Sequence, residues 1–314
     1  MHLKKRVYSL IYLLFFFSCT QQQKMLIATK QLPYPSGSSL SYLNGKLYLM
    51  GDDAVEMVVL DEDLNILDSI PIIDYPLQRI PKNIKPDIEA STVMRYQNKN
   101  VLFLIGSGSV EKFRNTGYII EPGSVKSKTI DLSVFYNRIK NEGIEDLNVE
   151  GMTALPAGLV MASRGNKTFR HNFLVFTSQD FFEQQDTVDI KLVRVGTNAD
   201  TSLFNGISGL DYAAGSDKLL LTVSSENTYN SYEDGSIGKS YLWIINDITT
   251  RKRFTHINPD IIIDLDKLDD RFKGHKIESV SIVKETRQQL HLVLVADDDN
   301  GQTLLFKMSL QKEK

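Results

Sequence analysis

Five stretches of this chain repeat one pattern, and repeats of such a period restrict a chain to a few architectures. In each copy an acidic or small residue opens a short apolar strand. A turn of Gly, Asn or Lys follows, and a second, strongly apolar strand ends in small or charged residues. The copies span residues 36–53, 88–109, 149–166, 207–227 and 277–299. Anchored on Ser38, Glu89, Glu150, Ser208 and Glu278, they stand 51, 61, 58 and 70 residues apart. These spacings match propeller blades with long loops.

Two further β-branched or aromatic runs follow each of the first four copies. They are Val55–Leu60 and Ile66–Ile72, Gly117–Ile120 and Lys128–Leu132, Asn172–Phe176 and Thr187–Val195, then Tyr241–Ile245 and Ile261–Asp264. Four strands per repeat make a blade, so the chain reads as an all-β propeller of five four-stranded blades, or six if one long loop hides another. The fifth copy is a strand short: Ser279–Val283, His291–Ala296 and Thr303–Leu310 are followed by the end of the sequence. Met25–Gln31 is expected to supply the missing strand and close the ring, which removes two exposed sheet edges. Short helices are expected over Ser133–Gly143 and Asp264–Phe272. No Pro/Gly/Ser-rich linker separates the repeats, so 25–314 reads as one propeller domain.

The N-terminus carries a different signal. Lys4, Lys5 and Arg6 precede a run of eight residues, Leu10 to Phe17, that is apolar except for the Tyr12 hydroxyl. This is too short to span a bilayer and fits the apolar region of a secretory signal. Ser18-Cys19 follows directly and resembles the lipobox of bacterial lipoproteins, with Phe16 where Leu is usual. Residues 1–18 are therefore expected to be a lipoprotein signal peptide, Cys19 the lipidated residue, and 19–24 a polar tether. Cys19 is the one cysteine of the chain, so no intrachain disulfide forms. Removing residues 1–18 leaves 33 basic against 39 acidic residues. That balance argues against a nucleic-acid partner. The expected location is the cell envelope, lipid-anchored and facing the periplasm.

In a propeller, the starts of the innermost strands and the ends of the second strands meet on one face around the axis. The first set is Ser38, Glu89, Glu150, Ser208 and Glu278. The second is Asp52, Asp53, Ser107, Ser109, Arg164, Asn166, Ser224, Glu226, Asp297 and Asp298. Carboxylates grouped there repel one another and require a partner. Ca²⁺, which takes oxygen ligands, is one candidate, with Glu89, Glu150, Glu278, Asp52 and Asp297 as its ligands. The cations Arg79, Lys82, Lys85 and Arg164 are another, and they could equally take a phosphate or carboxylate of a ligand. Backbone amides are the third, which would make the glutamates staples of the ring. The ligand-binding candidates are Arg79, Lys82, Lys85, Arg164, Asn166 and Glu226. No catalytic signature stands out: there is no G-x-S-x-G elbow and no H-E-x-x-H. Asp297–Gly301 opens like a calcium loop, but Met308 stands at the twelfth position, and the stretch reads as a hairpin turn.

The openings IEAST, VEGMT, ISGLD and IESVS, with the strand ends LMGDD and VADDD, resemble the phytase-like β-propellers, a superfamily that includes proteins labelled for esterase-like activity of phytase. More closely, YPSGSSL, KPDIEAST and LIGSGS look like an uncharacterised family of exported propellers. The resemblance covers most of residues 33–310. Phytases of that architecture use calcium ions in carboxylate clusters. Here Glu89, Glu150 and Glu278 match the acidic opening, and Ser38 and Ser208 depart from it. The expected function is a cell-envelope lipoprotein that binds a small anionic ligand or an envelope protein on the face carrying the acidic ring. The alternative is a Ca-dependent phytase-like phosphoesterase or esterase, which would make the protein a hydrolase.

Overall fold

The computed structural model describes residues 25–124, 127–196, 204–230, 237–251, 254–297 and 301–312. Cys19, the signal segment and Asp298 lie outside these residues. Loops of two residues join the first and second strands of blades 1 to 3, and loops of four and three residues those of blades 4 and 5. Asn44-Gly45 and Gln97-Asn98 both have positive φ at each central residue. That geometry matches the right-handed twist of the strands they join.

Five antiparallel sheets result. Blade 1 is Gly37–Leu43, Lys46–Gly51, Glu56–Leu60 and Ile66–Pro71; blade 2 is Ile88–Tyr96, Lys99–Gly106, Thr116–Ile120 and Ser127–Asp131. Blade 3 is Val149–Leu155, Gly158–Ser163, Asn172–Thr177 and Lys191–Val195; blade 4 is Phe204–Ala213, Lys218–Glu226, Ile237–Asn246 and Ile261–Asp264. Blade 5 is Lys276–Glu285, Gln289–Asp297, Thr303–Gln311 and, as its outer strand, Leu26–Leu32. Leu26 pairs with Met308 and Leu32 with Thr303, so the N-terminal strand closes the ring as expected. Each innermost strand packs against those of the two neighbouring blades. Both expected helices are present, as Ser133–Asn141 and as a short turn over Leu265–Leu268 that continues into Asp270–Phe272.

The core consists of layers between blades, each formed by the apolar faces of adjoining sheets. The second strands are buried on both faces, which is why Leu47–Met50, Val101–Ile105 and Leu292–Ala296 read as unbroken apolar runs rather than alternating ones. One element was not foreseen. His256–Ile257 pairs in parallel with Lys191–Val195, adding a short fifth strand to blade 3. The connection between the last two strands of blade 4 folds back over that edge, and the Lys191 ammonium lies 4.3 Å from the centre of the Phe254 ring. The clasp covers an edge that would otherwise be open. A two-residue strand carries no periodicity to read.

One irregularity recurs in every blade. The pairing of first and second strands slips near the start of the first strand, between Gly37 and Ser39, Ile88 and Ala90, Val149 and Gly151, Ile207 and Gly209, and Ile277 and Ser279; blade 5 slips a second time, between Ile282 and Lys284. The extra residues are Ser38, Glu89, Glu150, Ser208 and Glu278, the anchors of the sequence repeat. A β-bulge leaves its residue outside the ladder and re-aims its side chain. Five bulges at one level thus form a ring around the axis.

Candidate functional site: a carboxylate ring at the propeller axis

The bulge residue is framed in each blade by a fixed local pattern. The residue before it is fully buried in blades 2 to 5, as Ile88, Val149, Ile207 and Ile277. The residue after it is small: Ser39, Ala90, Gly151, Gly209 or Ser279. Crowding of the innermost strands explains this, because a Cβ on Gly209 would stand 2.6 Å from the carbonyl oxygen of Glu278 in the next blade. The residue two before the bulge also faces the ring, and it is Ser36, Asp87, Asn148, Gly206 or Lys276.

The two serines are satisfied locally. Ser38 Oγ donates to the Ser36 carbonyl at 3.0 Å, and Ser208 Oγ donates to the carbonyl of Ile277 in the neighbouring blade. The glutamates face a charge network instead. Lys85 Nζ contacts Asp52 and lies 2.8 Å from Asp87 Oδ1. Arg114 Nη1 lies 2.6 Å from Asp87 Oδ2 and donates to Ser109 Oγ at 2.7 Å. Arg164 Nη2 is 2.9 Å from Glu226 Oε2, and its Nη1 is 3.8 Å from Glu150 Oε1. Asn148 Nδ2 donates to the same Glu150 oxygen at 2.6 Å. Lys276 Nζ bridges Glu226 Oε1 at 3.3 Å and Glu278 Oε1 at 3.0 Å. Glu278 Oε2 is buried without a hydrogen bond. Glu89 is half-buried and accepts no hydrogen bond from any described residue.

Solvent reaches this network from one side. The side chain of Arg79 is 47% exposed, Lys276 24% and Asp52 17%, whereas Arg164 and Glu226, at the second-strand ends of blades 3 and 4, are 5% exposed. The ring is therefore the floor of a funnel. Among the described residues its inner network sets six carboxylates (Asp52, Asp87, Glu89, Glu150, Glu226, Glu278) against four cations (Lys85, Arg114, Arg164, Lys276).

That imbalance appears as protonation. Burial, then the neighbouring charges of Glu150, Asp87, Asp52 and Glu278, holds Glu89 well above the ordinary glutamate range. Burial pushes Glu278 up to about 8, with Lys276 opposing. Glu150 and Asp52 are also raised by burial, against the pull of Arg164 and of Lys85 respectively. Against the same cost of burial, Lys276 and Arg164 hold Glu226 down to about 2, and Lys85 and Arg114 keep Asp87 low. The excess carboxyls are thus the ones that keep protons.

The expected site residues divide accordingly. Lys85 and Arg164, proposed from sequence as anion binders, are enclosed by carboxylates and occupied. Arg79 donates to Asp53 Oδ2 and Ser36 Oγ, both at 2.9 Å. Lys82 is exposed at the rim, and its carbonyl accepts from Arg114 Nη2 at 3.4 Å. Asn166 is a loop organiser: its Oδ1 accepts from the amides of Thr168 and Phe169, and its Nδ2 bonds Asp146. The calcium set of Glu89, Glu150, Glu278, Asp52 and Asp297 is not brought together as one group. Among the described residues, the carboxylates whose oxygens lie within 4.8 Å of one another are Asp52, Asp87 and Glu89. Lys85 already touches two of them. Asp297 ends the second strand of blade 5 and acts at a distance on Arg79.

Sequence reading missed Asp87, Arg114, Asn148 and Lys276. Three of these carried a signal. Asp87-Ile88-Glu89, Asn148-Val149-Glu150 and Lys276-Ile277-Glu278 are polar–apolar–Glu triplets at one repeat position, the pattern of two ring-facing residues around a core residue. Arg114 lies in a loop outside the repeat and left no such trace.

A model described as a family of unknown function (DUF6929) matches residues 33–310. No curated protein matches the chain. A crystal structure of a Myxococcus xanthus glutaminyl cyclase is similar at 10% identity, covering 92% of this chain and 97% of that one, with a TM-score of 0.53. A member of the DUF4221 family from Bacteroides vulgatus is 12% identical over 93% of this chain and all of that one, with a TM-score of 0.38.

Proposed function

The chain belongs to that family of unknown function, and from this premise we propose that it is a cell-envelope lipoprotein whose propeller binds a ligand in the axial funnel. One observation carries the binding half: Glu89, repeated in kind at the axis and reachable from solvent, has no hydrogen-bond partner of its own. A carboxyl that merely stapled the ring would be bonded to it, as Glu150 is through Asn148. Leaving a half-buried carboxyl unbonded has a cost, and a ligand that bonds it recovers that cost. The lipoprotein half rests on the Ser18-Cys19 junction after the apolar run.

The test is a ligand-observed NMR screen of chemically diverse fragments on the mature protein, run in parallel on Glu89→Gln. The expected result is a set of fragments that bind the wild type and lose binding in the variant. A screen whose hits are all indifferent to Glu89→Gln would overturn the reading. A calcium-dependent phosphoesterase is not favoured, because the ring cations that would hold a phosphate are engaged by carboxylates. The likeness to a glutaminyl cyclase is one of fold, and it transfers no reaction to this chain.

A further inference from the structure

We infer that the ligand of the funnel presents an ammonium or amidinium group, which seats on the Glu89 carboxylate beside Glu150 and Glu278. This rests on the axial funnel being the binding site, and it adds the chemical class. Three observations support it.

Fixed positive charge in the inner network is already matched. Lys85 lies between Asp52 and Asp87, Arg114 on Asp87, Arg164 on Glu226, and Lys276 between Glu226 and Glu278. An anionic ligand would have to compete with these carboxylates for the same donors. Within this inner network two acceptors have neither a hydrogen bond nor a cation against them: Glu89, and the Oε2 of Glu278, a residue 7% exposed whose other oxygen is held by Lys276; Glu226 Oε1, also without a hydrogen bond, has Lys276 at 3.3 Å. Both glutamates sit on bulges that turn them to the axis, and Glu278 is close enough for its charge to raise Glu89. A group that brings N–H donors and positive charge supplies what this floor lacks.

A bare divalent ion fits less well. Oxygen ligands at about 2.3–2.6 Å from one ion stand no farther than roughly twice that from each other. Among the described residues the carboxylates meeting that spacing are Asp52, Asp87 and Glu89. There the Lys85 ammonium already holds the position, and Glu150 and Glu278 stand outside the group. An organic cation, whose donors diverge, reaches several carboxylates without displacing Lys85.

Burial and the neighbouring carboxylates favour the protonated form of Glu89 and Glu278 in the unliganded floor, so a cationic ligand that pairs with them displaces protons. Binding therefore strengthens as pH rises toward and past about 8, the value to which Glu278 is pushed, and it releases protons. The groups facing these two carboxyls are Asp52, Asp87, Glu150 and Glu226 with Lys85, Arg164 and Lys276, and the four carboxylates and three cations keep that direction.

The experiment is isothermal titration of the mature protein with propylammonium, putrescine, agmatine and guanidinium, alongside calcium, magnesium, phosphate and acetate. Titrations are run at pH 6.0 and 8.5 in buffers of different ionisation heat. Variants are Glu89→Gln, isosteric at the floor, and Glu121→Gln, at a residue that forms an exposed pair with Lys99 at the end of blade 2 away from the funnel. The expected result is saturable binding of at least one organic cation, at least tenfold weaker in Glu89→Gln and unchanged in Glu121→Gln. The affinity is also expected to fall several-fold from pH 8.5 to 6.0, with proton release on binding. Glu89-dependent binding of divalent ions alone, or of phosphate or acetate alone, would overturn the class while leaving the funnel as the site. If no organic cation binds, the class falls, and the separate fragment screen decides whether the site falls with it.

Discussion

Gly206 and Glu278 show how much of this ring depends on single atoms. Gly206 stands two residues before the Ser208 bulge, where other blades have Asp87, Asn148 and Lys276. It carries no side chain because Arg164 fills that space: an added Cβ would lie 2.5 Å from Arg164 Nε and 2.9 Å from its Cγ. Gly206→Ala is expected to displace the guanidinium from Glu226 and Glu150 and to cost about 2 kcal/mol by overpacking, seen as a midpoint lower by roughly 5 °C in calorimetry. An unchanged midpoint would mean Arg164 moves aside freely. Glu278 makes a prediction about pH. The folded protein keeps its proton up to about 8, whereas an ordinary glutamate loses it near 4.5. Between these values the folded state holds the extra proton, so the stability tied to this group is whole below about 4.5 and declines as pH rises to 8. Glu226 runs the other way: held to about 2, it stabilises above 4.5, and that contribution is lost as pH falls toward 2. Glu278→Gln should flatten the decline between pH 5 and 8 and raise the midpoint at pH 8 by about 3 °C. A variant whose midpoint falls with pH as steeply as the wild type would remove Glu278 as the source.

At the scale of elements, the strand that closes the ring is the most exposed to test. Leu26–Leu32 alternates its burial, with Leu26 and Leu32 3% and 2% exposed, and it pairs with the neighbouring strand Thr303–Gln311 from Met308 to Thr303. Deleting residues 20–32 removes two buried leucines, each worth about 2–5 kcal/mol, and leaves Thr303–Gln311 as an open edge. The melting midpoint is expected to fall by about 8 °C or more, with aggregation on heating; a deletion that melts like the full domain would mean the ring does not need this strand. This element was legible because the fifth repeat is one strand short, and a count exposes such a gap. The bulge ring was also legible, since Ser38, Glu89, Glu150, Ser208 and Glu278 recur at one position. What the repeat did not disclose was partner choice. Lys85 and Arg164 read equally as partners of the ring carboxylates and as anion binders, because a sequence lists charges without their distances, and Arg114 reaches Asp87 from a loop outside the repeat. The clasp at His256–Ile257 was hidden for a related reason: it is fixed by Phe254 meeting Lys191 across two blades, a contact that no local period encodes.

The whole molecule has two faces, and the register of blade 5 says which one an anchor would hold. Asp297 ends its strand at the funnel side and pairs with Thr303, which pairs in turn with Leu32. Leu26, at the other end of the same strand, therefore lies on the opposite face, and the chain before it leaves from there. If Cys19 carries lipid, as the lipobox leads us to propose, six residues separate it from Leu26, a reach of about 25 Å at most. Such a short tether holds the face away from the funnel against the bilayer and leaves the funnel mouth toward solvent, where a soluble ligand can enter. Cys19 is the one native cysteine, and acylation would consume it, so single labels can be placed cleanly. Lys82→Cys puts a dye at the funnel rim, and Arg287→Cys puts one in the exposed turn between Lys276–Glu285 and Gln289–Asp297, at the opposite face. In vesicles carrying a lipid-borne acceptor, energy transfer should be stronger from position 287 than from 82, and Cys19→Ser protein should remain in the soluble fraction with no transfer from either. Stronger transfer from position 82 would turn the funnel to the membrane and make a soluble ligand untenable, while Cys19→Ser protein that still sediments with vesicles would overturn the anchor itself.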